Sequence, residues 1–300
     1  MTSEITLFVN PAAGRGRGAR AAQPAARALR DAGFSVRTVL GEDAPDALRR
    51  AKDAVARGTG ALIAVGGDGM TSLALQAVAG TATPLGVIAV GTGNDFARSL
   101  GLPVRDPSAA GRLVADVLKN GAARHVDLGR VGERWYGTVL ASGFDSRVND
   151  RGNRMGRIAG RFTYDVALLA ELAALRPIPY RLTLDGGAVE EVEAVLVAVG
   201  NGESYGGGMR ICAGASQEDG LLDVTVVGAC SRTTLLRVFP RVYRGTHLSH
   251  PLVTVHRVRA ITLEAAGINA YADGERLGPL PLTVECVPGA VRVLAPPQPA

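Results

Sequence analysis

Short apolar runs alternate with amphipathic stretches along the first 125 residues. Four runs are predicted strands, and a stretch of helical periodicity follows each of them: ITLFVN (5–10), FSVRTVL (34–40), ALIAVGG (61–67) and PLGVIAV (84–90). Strand, loop and helix repeated in this order predict a parallel sheet covered by helices on both faces. In such sheets ligands bind at the carboxyl ends of the strands, so a site is expected in the loops that follow them.

The pattern changes after His125 to short β-branched runs separated by glycine and polar turns. These runs include WYGTVLASG, YRLTLDG, EAVLVAVGN, LLDVTVVG, LVTVHRVRAITLEA and LTVECV. They predict an antiparallel sandwich or barrel, interrupted by helices near residues 158–175 and 233–244. We therefore expect an α/β fold class, with a parallel-sheet domain at residues 1–125 and a β-rich sandwich domain at residues 126–300.

Composition narrows the possible partners. The net charge is +5, and almost all basic residues are arginine because Lys52 and Lys119 are the only lysines. A modest positive balance favours approach to an anionic membrane or a nucleotide. Aromatic residues make up only 4% of the chain and no basic run is interleaved with them, so no nucleic-acid partner is expected.

The cysteines and the apolar runs bear on location. Cys212, Cys230 and Cys286 form no CxxC pair, which argues against a disulfide framework or a zinc site and favours three small core residues in a reducing compartment. No signal-like start is present, and no apolar run approaches about 18 residues. We expect a cytoplasmic protein, attached at most peripherally to the inner face of the membrane. The sequence leaves the oligomeric state open, a homo-oligomer included.

Glycine-rich loops follow three of the predicted strands: NPAAGRGRG (10–18), GGDGM (66–70) and GTGND (91–95). Glycines let backbone N–H groups approach phosphate oxygens, and the N-terminus of a following helix adds its positive end. Three such loops at one sheet edge favour a phosphate cradle over ordinary turns. The cradle is neither a Walker loop, which needs GxxxxGK[ST], nor a dinucleotide fingerprint, because the glycines at 14, 16 and 18 read GxGxG.

Asp68 lies between glycines directly after an apolar strand. This position puts a carboxylate at the phosphate-binding edge, where a magnesium ion or its water shell would be held. A buried or turn-capping aspartate is the alternative. The GGDG setting favours the functional role, because a carboxylate beside phosphates is unfavourable without a cation.

An ordered series of motifs extends from Asn10 to Glu275: NPAAG, VGGDG, GTGNDFAR, DLGR, NGESYGGGM, EDGLLDV and DGE. The series resembles that of the bacterial diacylglycerol kinases, relatives of sphingosine kinases and, more distantly, of NAD kinases. The motif GGDG alone is shared with NAD kinases, whereas the full order is specific. The resemblance implies a lipid kinase that uses ATP and Mg²⁺, with diacylglycerol as the first expected acceptor, a catalytic ATP-binding domain at residues 1–125 and a lipid-kinase sandwich domain at residues 126–300.

The resemblance also locates the ATP site. It implies contacts from Asn10, Pro11, Ala12, Ala13, Gly14, Gly66, Gly67, Asp68, Gly69, Met70, Thr71, Ser72, Thr92, Asn94 and Asp95. Where the family usually reads GGDGT followed by an Asn–Glu pair, this chain has Met70, Ser72 and Leu73, and Gly41 stands where a threonine is common. These departures put the hydroxyl contacts with the nucleotide in doubt but leave the backbone contacts.

Two carboxylates, Asp273 and Glu275, lie in YADGERLG on a predicted turn between strands. Phosphoryl transfer to an alcohol needs a group that takes the hydroxyl proton, and a positioned carboxylate can do so. The local sequence by itself favours an ordinary DG hairpin turn with an exposed glutamate. The resemblance reverses that preference and implies that Glu275 is the catalytic base, assisted by Asp273.

The motif EDGLLDV (218–224) reads locally as a turn into a strand. The resemblance implies a structural magnesium ion there, held by Asp219 and by the backbone carbonyls of Ser216 and Leu221, since a hard cation takes oxygen ligands. The local and the family interpretation both stay open.

Other functions compete with this interpretation. The sequence GESYG (202–206) matches the GxSxG motif of serine hydrolases, but a nucleophile elbow must turn directly into a helix and GGMRICAGA follows here. His247, His250 and His256 are expected at exposed polar positions rather than in a metal site or triad. A module that binds nucleotide or lipid without turnover, an NAD kinase and a ceramide or sphingoid kinase are the remaining alternatives.

A basic amphipathic segment, TTLLRVFPRVYRG (233–245), is a candidate membrane contact. Arg237, Arg241 and Arg244 alternate with apolar residues, and Pro240 is expected to kink or end the helix. One interpretation packs the apolar side on the sandwich with the arginines in water. The other brings the arginines to anionic headgroups while the apolar residues dip into the interface.

Overall fold

The protein is described by a computed structural model that covers residues 4–9, 17–155 and 170–297. Its first half contains a parallel sheet with the strand order β2–β1–β3–β4. The four strands are β1 (Glu4–Val9), β2 (Ser35–Leu40), β3 (Leu62–Gly66) and β4 (Leu85–Ala89). Each lies where the apolar pattern predicts it. The parallel arrangement confirms the expected α/β class.

Helices cover both faces of this sheet: α1 (Arg17–Asp31), α2 (Ala44–Ala56), α3 (Asp68–Val78), α4 (Asp95–Ser99) and α5 (Pro107–Asn120). Along β3, Leu62 packs with residues of α2 and α3, whereas the next residue, Ile63, packs with residues of α1 and α5. Successive side chains of a strand point to opposite faces, so this alternation shows that both faces are buried. An entirely apolar run such as ALIAVGG is the sequence of such a strand.

Capping residues fix where two of these helices begin. Asp43 precedes α2 and its carboxylate accepts the N–H of Asp46 at 2.8 Å, while Asp106 precedes α5 and accepts the N–H of Ala109 at 2.9 Å. Both helices also carry proline in the first turn. A side-chain acceptor satisfies a backbone N–H that has no partner within the helix, and the proline lacks the N–H that would need one.

The second half is rich in strands whose pairs with one another are antiparallel throughout the part that the structure describes. They are β5 (Arg124–Val131), β6 (Arg134–Tyr136), β7 (Val139–Gly143), β8 (Ile178–Leu184), β9 (Val189–Gly200), β10 (Leu222–Gly228), β11 (Val253–Val258), β12 (Ala260–Glu264), β13 (Asn269–Ala272), β14 (Glu275–Pro279) and β15 (Leu282–Val293). The β-rich second half is confirmed. The single run expected at residues 252–265 is two strands.

The last strand joins the two halves. β15 pairs with β12 and β5, and Val293 pairs in parallel with Leu85 of β4. The predicted domain boundary between residues 125 and 126 falls inside β5, which the sequence pattern does not reveal as a strand. The parallel sheet therefore continues into the antiparallel one.

Two further helices belong to the second half, α6 (Phe144–Met155) and α7 (Arg232–Val242), with a short 3-10 helix at Thr246–Ser249. α6 is not predicted by the sequence pattern, because its residues are mostly polar. The helix expected at 158–175 lies largely outside the described residues, and its remainder is helical at 170–173. α7 agrees with the segment expected at 233–244, and Pro240 lies in its last turn.

The expectation that His247 is exposed is wrong. Its side chain is buried, and Nε2 lies 3.0 Å from the carbonyl oxygen of Ile211. Burial lowers the pKa of His247, which favours the neutral ring. Cys212, Cys230 and Cys286 are free thiols, as expected. Among the described residues no helix is long and apolar enough to cross a membrane.

Candidate active site

The loops after β3 and β4 lie against each other at the carboxyl edge of the parallel sheet. A methyl group added to Gly91 would come within 2.5 Å of the Cα of Gly67. Real side chains do not approach a backbone this closely, so only glycine fits at residue 91. The glycines of the two motifs thus allow the two loops to touch.

Asp68 joins the two loops by hydrogen bonds. As the first residue of α3 it accepts the N–H of Asn94 at 2.8 Å and the N–H of Asp95 at 2.9 Å. Asn94 has a φ of 60° and folds its side chain back on Gly91, which donates its N–H to Oδ1 at 2.9 Å. Both carboxylate oxygens of Asp68 therefore hold the second loop in place.

Asp95 links this pair of loops to the second half of the chain. Its buried carboxylate accepts the N–H of Gly207 at 2.8 Å, and the hydroxyl of Ser204 lies 3.4 Å away. Burial raises the pKa of Asp95, the bond from Gly207 opposes that rise and the negative charge of Asp68 adds to it. The NGESYGGGM motif therefore supplies hydrogen-bond donors to the carboxylate of Asp95.

The same loop rules out a nucleophile elbow at GESYG. Residues 201–214 form turns and bends, without the helix that such an elbow requires, and Ser204 faces Asp95. The match to the hydrolase motif is accidental.

Asp273 occupies the turn between β13 and β14 with a φ of 49°. Its carboxylate accepts the N–H of Gly137 at 2.7 Å, the N–H of Thr138 at 2.9 Å and the hydroxyl of Thr138. Burial raises the pKa of Asp273, these bonds oppose the rise, and the charge of Asp68 adds to it. Both oxygens are engaged in holding the turn.

Glu275 differs from Asp273, two residues before it. It is the first residue of β14 and is exposed, and its carboxylate forms no hydrogen bond or ion pair with any described residue. Its Oε1 lies 4.0 Å from the position that a methyl group on Gly69 would occupy. A free carboxylate thus lies over the N-terminus of α3, beside the loop that carries Asp68.

A pocket of about 740 Å³ opens between α2, α3 and Glu275. Its walls come from Ala44, Pro45, Leu48, Lys52, Gly67, Gly69, Met70, Ser72, Leu73, Gln76, Val90, Gly91, Thr92, Glu133, Arg134 and Glu275. Five of the ten described residues expected at the nucleotide site line it: Gly67, Gly69, Met70, Ser72 and Thr92. Asp68, Thr71 and Asp95 line an adjoining pocket instead, and Gly66 and Asn94 line neither. Lys52 and Arg134 are the cationic residues of this lining, and sequence reasoning does not single out either of them.

A second pocket, of about 570 Å³, adjoins the first and shares Ser72 and Thr92 with it. Apolar and aromatic residues form much of its lining, including Phe96, Val139, Ala141, Met209, Phe239, Tyr243 and Tyr271, and the carboxylates of Asp68, Asp95 and Asp273 lie at its edge. The sequence gives no sign of this pocket, because its walls come from distant segments.

Asp145 is a further buried carboxyl group in the lining of the second pocket. Burial raises its pKa to about 6, against a hydrogen bond from Tyr205 that lowers it. The Nδ2 of Asn149 lies 3.4 Å from Oδ2. Asp145 is a candidate binding residue that the motifs do not reveal, and only its place after an apolar strand, in GFD, could have indicated it.

The departures from the family pattern have local physical reasons. A methyl group on Gly41 would come within 2.4 Å of the Cβ of Ala47, so α2 leaves no room for the threonine found elsewhere. Met70 packs against Gly66 and is buried in the core below the loop. Ser72 and Leu73 both line the larger pocket, so the hydroxyl of Ser72 remains available there. Asn10, Pro11, Ala12, Ala13 and Gly14 lie outside the described residues.

The residues expected to hold a structural metal are placed around a turn before β10. Asp219 accepts the N–H of Leu221 at 3.0 Å and forms a close ion pair with Arg257. Arg257 also lies 3.6 Å from Asp223, whose other carboxylate oxygen is buried without a hydrogen-bond partner in the described structure. The turn, which also contains Ser216, is thus rich in negative charge.

Two pockets that meet beside carboxylates, one bordered by glycine loops and a helix N-terminus, are the arrangement of a kinase, in which a nucleotide and an acceptor meet at the transferred phosphate. Family models agree. A diacylglycerol kinase catalytic domain matches residues 4–131, and a YegS C-terminal NAD kinase beta sandwich-like domain matches residues 138–295.

Individual proteins agree as well. A diacylglycerol kinase of Mycobacterium tuberculosis is 46% identical over 98% of this chain and 95% of its own length, and one of Bacillus subtilis is 30% identical over 92% and 90%. The chain belongs to the diacylglycerol kinase family. It is a lipid kinase and uses ATP, as the motif series implies.

Solved structures show the same fold. A diacylglycerol kinase from Bacillus anthracis superposes with a TM-score of 0.74 at 24% identity, covering 98% of this chain and 97% of its own. An NAD kinase from Archaeoglobus fulgidus in complex with ATP superposes with a TM-score of 0.52 at 14% identity, covering 95% and 90%. At these identities the likeness is one of fold.

Proposed function

We propose that this enzyme transfers the γ-phosphate of ATP to the free hydroxyl of diacylglycerol and produces phosphatidic acid. The observation that carries the proposal is the meeting of the two pockets at Ser72 and Thr92, below the free carboxylate of Glu275. An acceptor in the smaller pocket and a nucleotide in the larger one would face each other there. Positioning of two substrates is the main contribution that a protein makes to phosphoryl transfer.

The larger pocket fits the nucleotide. Its floor is the N-terminus of α3 with Gly67 and Gly69, where backbone N–H groups and the positive end of the helix favour phosphate. Lys52 and Arg134 add positive charge at its walls. We assign the polyphosphate to this floor, with the loop at residues 10–14 as a further contact.

The carboxylates have different roles in the proposed reaction. Glu275 is free, so it takes the proton of the acceptor hydroxyl as the new O–P bond forms and the bond to ADP breaks. Asp273 holds the turn that presents Glu275, because both of its oxygens accept hydrogen bonds from Gly137 and Thr138. Asp68 aligns the two phosphate loops.

The site also fits Mg²⁺. Burial raises the pKa values of Asp95 and Asp273, and the charge of Asp68 adds to both rises, so three carboxylates lie near one another at this point. No cluster of three or more His, Cys, Asp or Glu side chains within the described ranges forms a metal site by itself, so the ion would share its ligands with ATP. When bound, Mg²⁺ neutralises charge on the transferred phosphate.

A structural Mg²⁺ at Ser216, Asp219 and Leu221 belongs to the same proposal. The buried oxygen of Asp223 without a partner, close to Asp219, supports a cation at this turn. Arg257 already supplies one positive charge there and would share Asp219 with the ion.

The acceptor pocket supports a lipid over NAD. Phe96, Met209 and Phe239 give it apolar walls suited to acyl chains, whereas a dinucleotide needs partners for a second set of phosphates and hydroxyls. Ceramide and sphingoid bases also carry long hydrocarbon chains, so they are the closest competing acceptors. A lipid acceptor implies an enzyme that works at the surface of the membrane, and we place it on the cytoplasmic side, where ATP is available.

The test is transfer of labelled γ-phosphate to a panel of acceptors dispersed in detergent: diacylglycerol, ceramide, a sphingoid base and NAD. We expect diacylglycerol to be phosphorylated fastest and NAD to remain unlabelled. Faster labelling of a sphingoid base or ceramide would change the substrate. Nucleotide binding without transfer to any acceptor would make the protein a binding module.

A further inference from the structure

Helix α7 has two distinct faces. Val238 and Val242 are buried against the second half, whereas Leu236 and Tyr243 are 56% and 51% exposed. Leu236 is the most exposed large apolar side chain that the structure describes. Apolar residues on the outside of a helix cost solvation free energy unless something covers them, and two of them lie here on one short element.

The outer face is also strongly basic. Arg232, Arg237, Arg241 and Arg244 are exposed, and none of them forms an ion pair with a described carboxylate. The sequence contains no acidic residue between Asp223 and Glu264. The chain segment that contains α7 therefore carries only positive charge, which matches an anionic surface.

The same helix forms a wall of the acceptor pocket. Phe239 and Tyr243 both line that pocket, and their rings meet edge to face with centroids 6.0 Å apart. Tyr243 is thus exposed outside and lines the pocket inside. The exposed face of α7 and the wall of the acceptor pocket therefore meet at Tyr243.

We propose that the outer strip of α7, defined as Leu236, Arg237, Pro240, Arg241, Tyr243 and Arg244, rests on an anionic bilayer and holds the mouth of the acceptor pocket against it. This inference rests on the proposed lipid acceptor. Each arginine near an anionic surface strengthens binding by about fivefold, and Leu236 and Tyr243 enter the headgroup region. Attachment of this strength is reversible, so the enzyme can leave one membrane patch for another.

The experiment compares two triple variants that lose the same charge. One carries Arg237→Gln, Arg241→Gln and Arg244→Gln in the strip. The other carries Arg20→Gln, Arg27→Gln and Arg30→Gln, which are also exposed on one helix, α1. Sedimentation with phosphatidylcholine vesicles, with or without phosphatidylglycerol, measures binding. Phosphorylation of vesicle-borne and of detergent-dispersed short-chain diacylglycerol measures activity.

We expect the α7 variant to bind phosphatidylglycerol vesicles at least about tenfold more weakly than the wild type, whereas the α1 variant binds nearly as well. The α7 variant should phosphorylate vesicle-borne lipid more slowly and the short-chain lipid at the normal rate. Replacing the same three arginines by lysine should restore binding, because the attraction depends on charge. Raising the salt concentration should weaken the wild type and bring it towards the variant.

Several outcomes would overturn the inference. Equal losses in the α7 and α1 variants would show that net charge, and not the strip, attracts the vesicles. Unchanged binding in the α7 variant would remove the strip from the membrane contact, and a change from dimer to monomer in that variant would assign the strip to a second copy of the chain.

The single variant Leu236→Ser distinguishes loss of the membrane contact from damage to the fold. It removes an exposed side chain, so it should weaken vesicle binding without lowering the midpoint temperature of unfolding. Normal vesicle binding by Leu236→Ser would show that Leu236 takes no part in the membrane contact. The wild type could bind anionic vesicles through the strip and yet phosphorylate no acylglycerol. That result would contradict the proposed function but not the membrane contact.

Discussion

The carboxylate of Asp68 accepts the backbone N–H of Asn94 at 2.8 Å, and this bond fixes the loop after β4 against the start of α3. The second oxygen of Asp68 does the same for the next residue. Asp68 therefore helps to position the loop after β4 through both of its carboxylate oxygens.

We expect Asp68→Ala to lower turnover by roughly 10²-fold or more, because a shift of about 1 Å in a reacting group costs that much. The fold should survive, since the residue is only half-buried. Steady-state kinetics with circular dichroism measures both. Asp106→Ala is the control, because it removes a similar backbone contact at α5, away from both pockets. Near-normal turnover in Asp68→Ala would show that the loops hold without it.

Glu275→Gln keeps the shape of the side chain but cannot accept a proton. We expect kcat to fall by roughly 10²-fold or more, with little change in ATP affinity. Glu133→Gln is a matched control, since Glu133 is another exposed carboxylate of the same pocket. Loss of ATP binding in Glu275→Gln would make Glu275 a nucleotide contact, and equal kinetic losses in both variants would point to the charge of the pocket.

The buried carboxyl of Asp145 should make stability depend on pH. Its pKa of about 6 lies above the ordinary value of 3.8, so between these pH values the folded protein keeps a proton that the unfolded chain has released. The free energy of unfolding should therefore fall as pH rises through this window, by on the order of 3 kcal/mol, and change no further from this cause at higher pH.

Urea unfolding between pH 4 and pH 8 tests this expectation. The side chain of Asp145→Asn cannot titrate, so the free energy of unfolding of this variant should fall less steeply with rising pH than that of the wild type. The difference between the two proteins should therefore change up to about pH 6, in favour of the variant. Asp116→Asn, at an exposed position of α5, should follow the wild type. Parallel curves for Asp145→Asn and the wild type would mean that Asp145 is hydrated.

The turn at Asp219 predicts a response to Mg²⁺ without nucleotide. If the ion binds there, Mg²⁺ should raise the midpoint temperature of unfolding, because a ligand that binds only the folded state stabilises it. Asp219→Ala should abolish this rise, and Arg257→Gln should shift it to lower Mg²⁺ concentration by removing the competing guanidinium. The same rise in Asp219→Ala as in the wild type would exclude the site.

The sequence predicts the parallel half well because β1, β3 and β4 are almost entirely buried, so that their apolar runs end at the glycine loops. Leu62 and Ile63 show the reason, since they face different cores. The sequence pattern does not predict α6, because its residues are mostly polar and form no clear apolar face. The burial of His247 is also predicted wrongly. A polar residue is expected in solvent, and the sequence does not show that the carbonyl of Ile211 lies close enough to be its hydrogen-bond partner.

The sequence likewise predicts some residues of the candidate site and not others. Asp68, Asp95, Asp273 and Glu275 are found because motif order marks them. Lys52 and Asp145 are not predicted, because they line the pockets only where distant segments of the chain meet. No local pattern distinguishes Lys52 from another helix lysine. The resemblance already separates Glu275 from Asp273, and the structure adds that the carboxylate of Asp273 is engaged by Gly137 and Thr138.

The course of β15 has a consequence for how the chain acquires its structure during translation. Ala290, Val291 and Val293 belong to the core that covers one face of the parallel sheet, and Gly80 donates its N–H to Ala290 at 2.8 Å. The half that receives the nucleotide is synthesised first, yet part of its core is supplied by residues added about two hundred positions later. The core on this face of the parallel sheet is therefore complete only after β15 has been synthesised and has paired with β4.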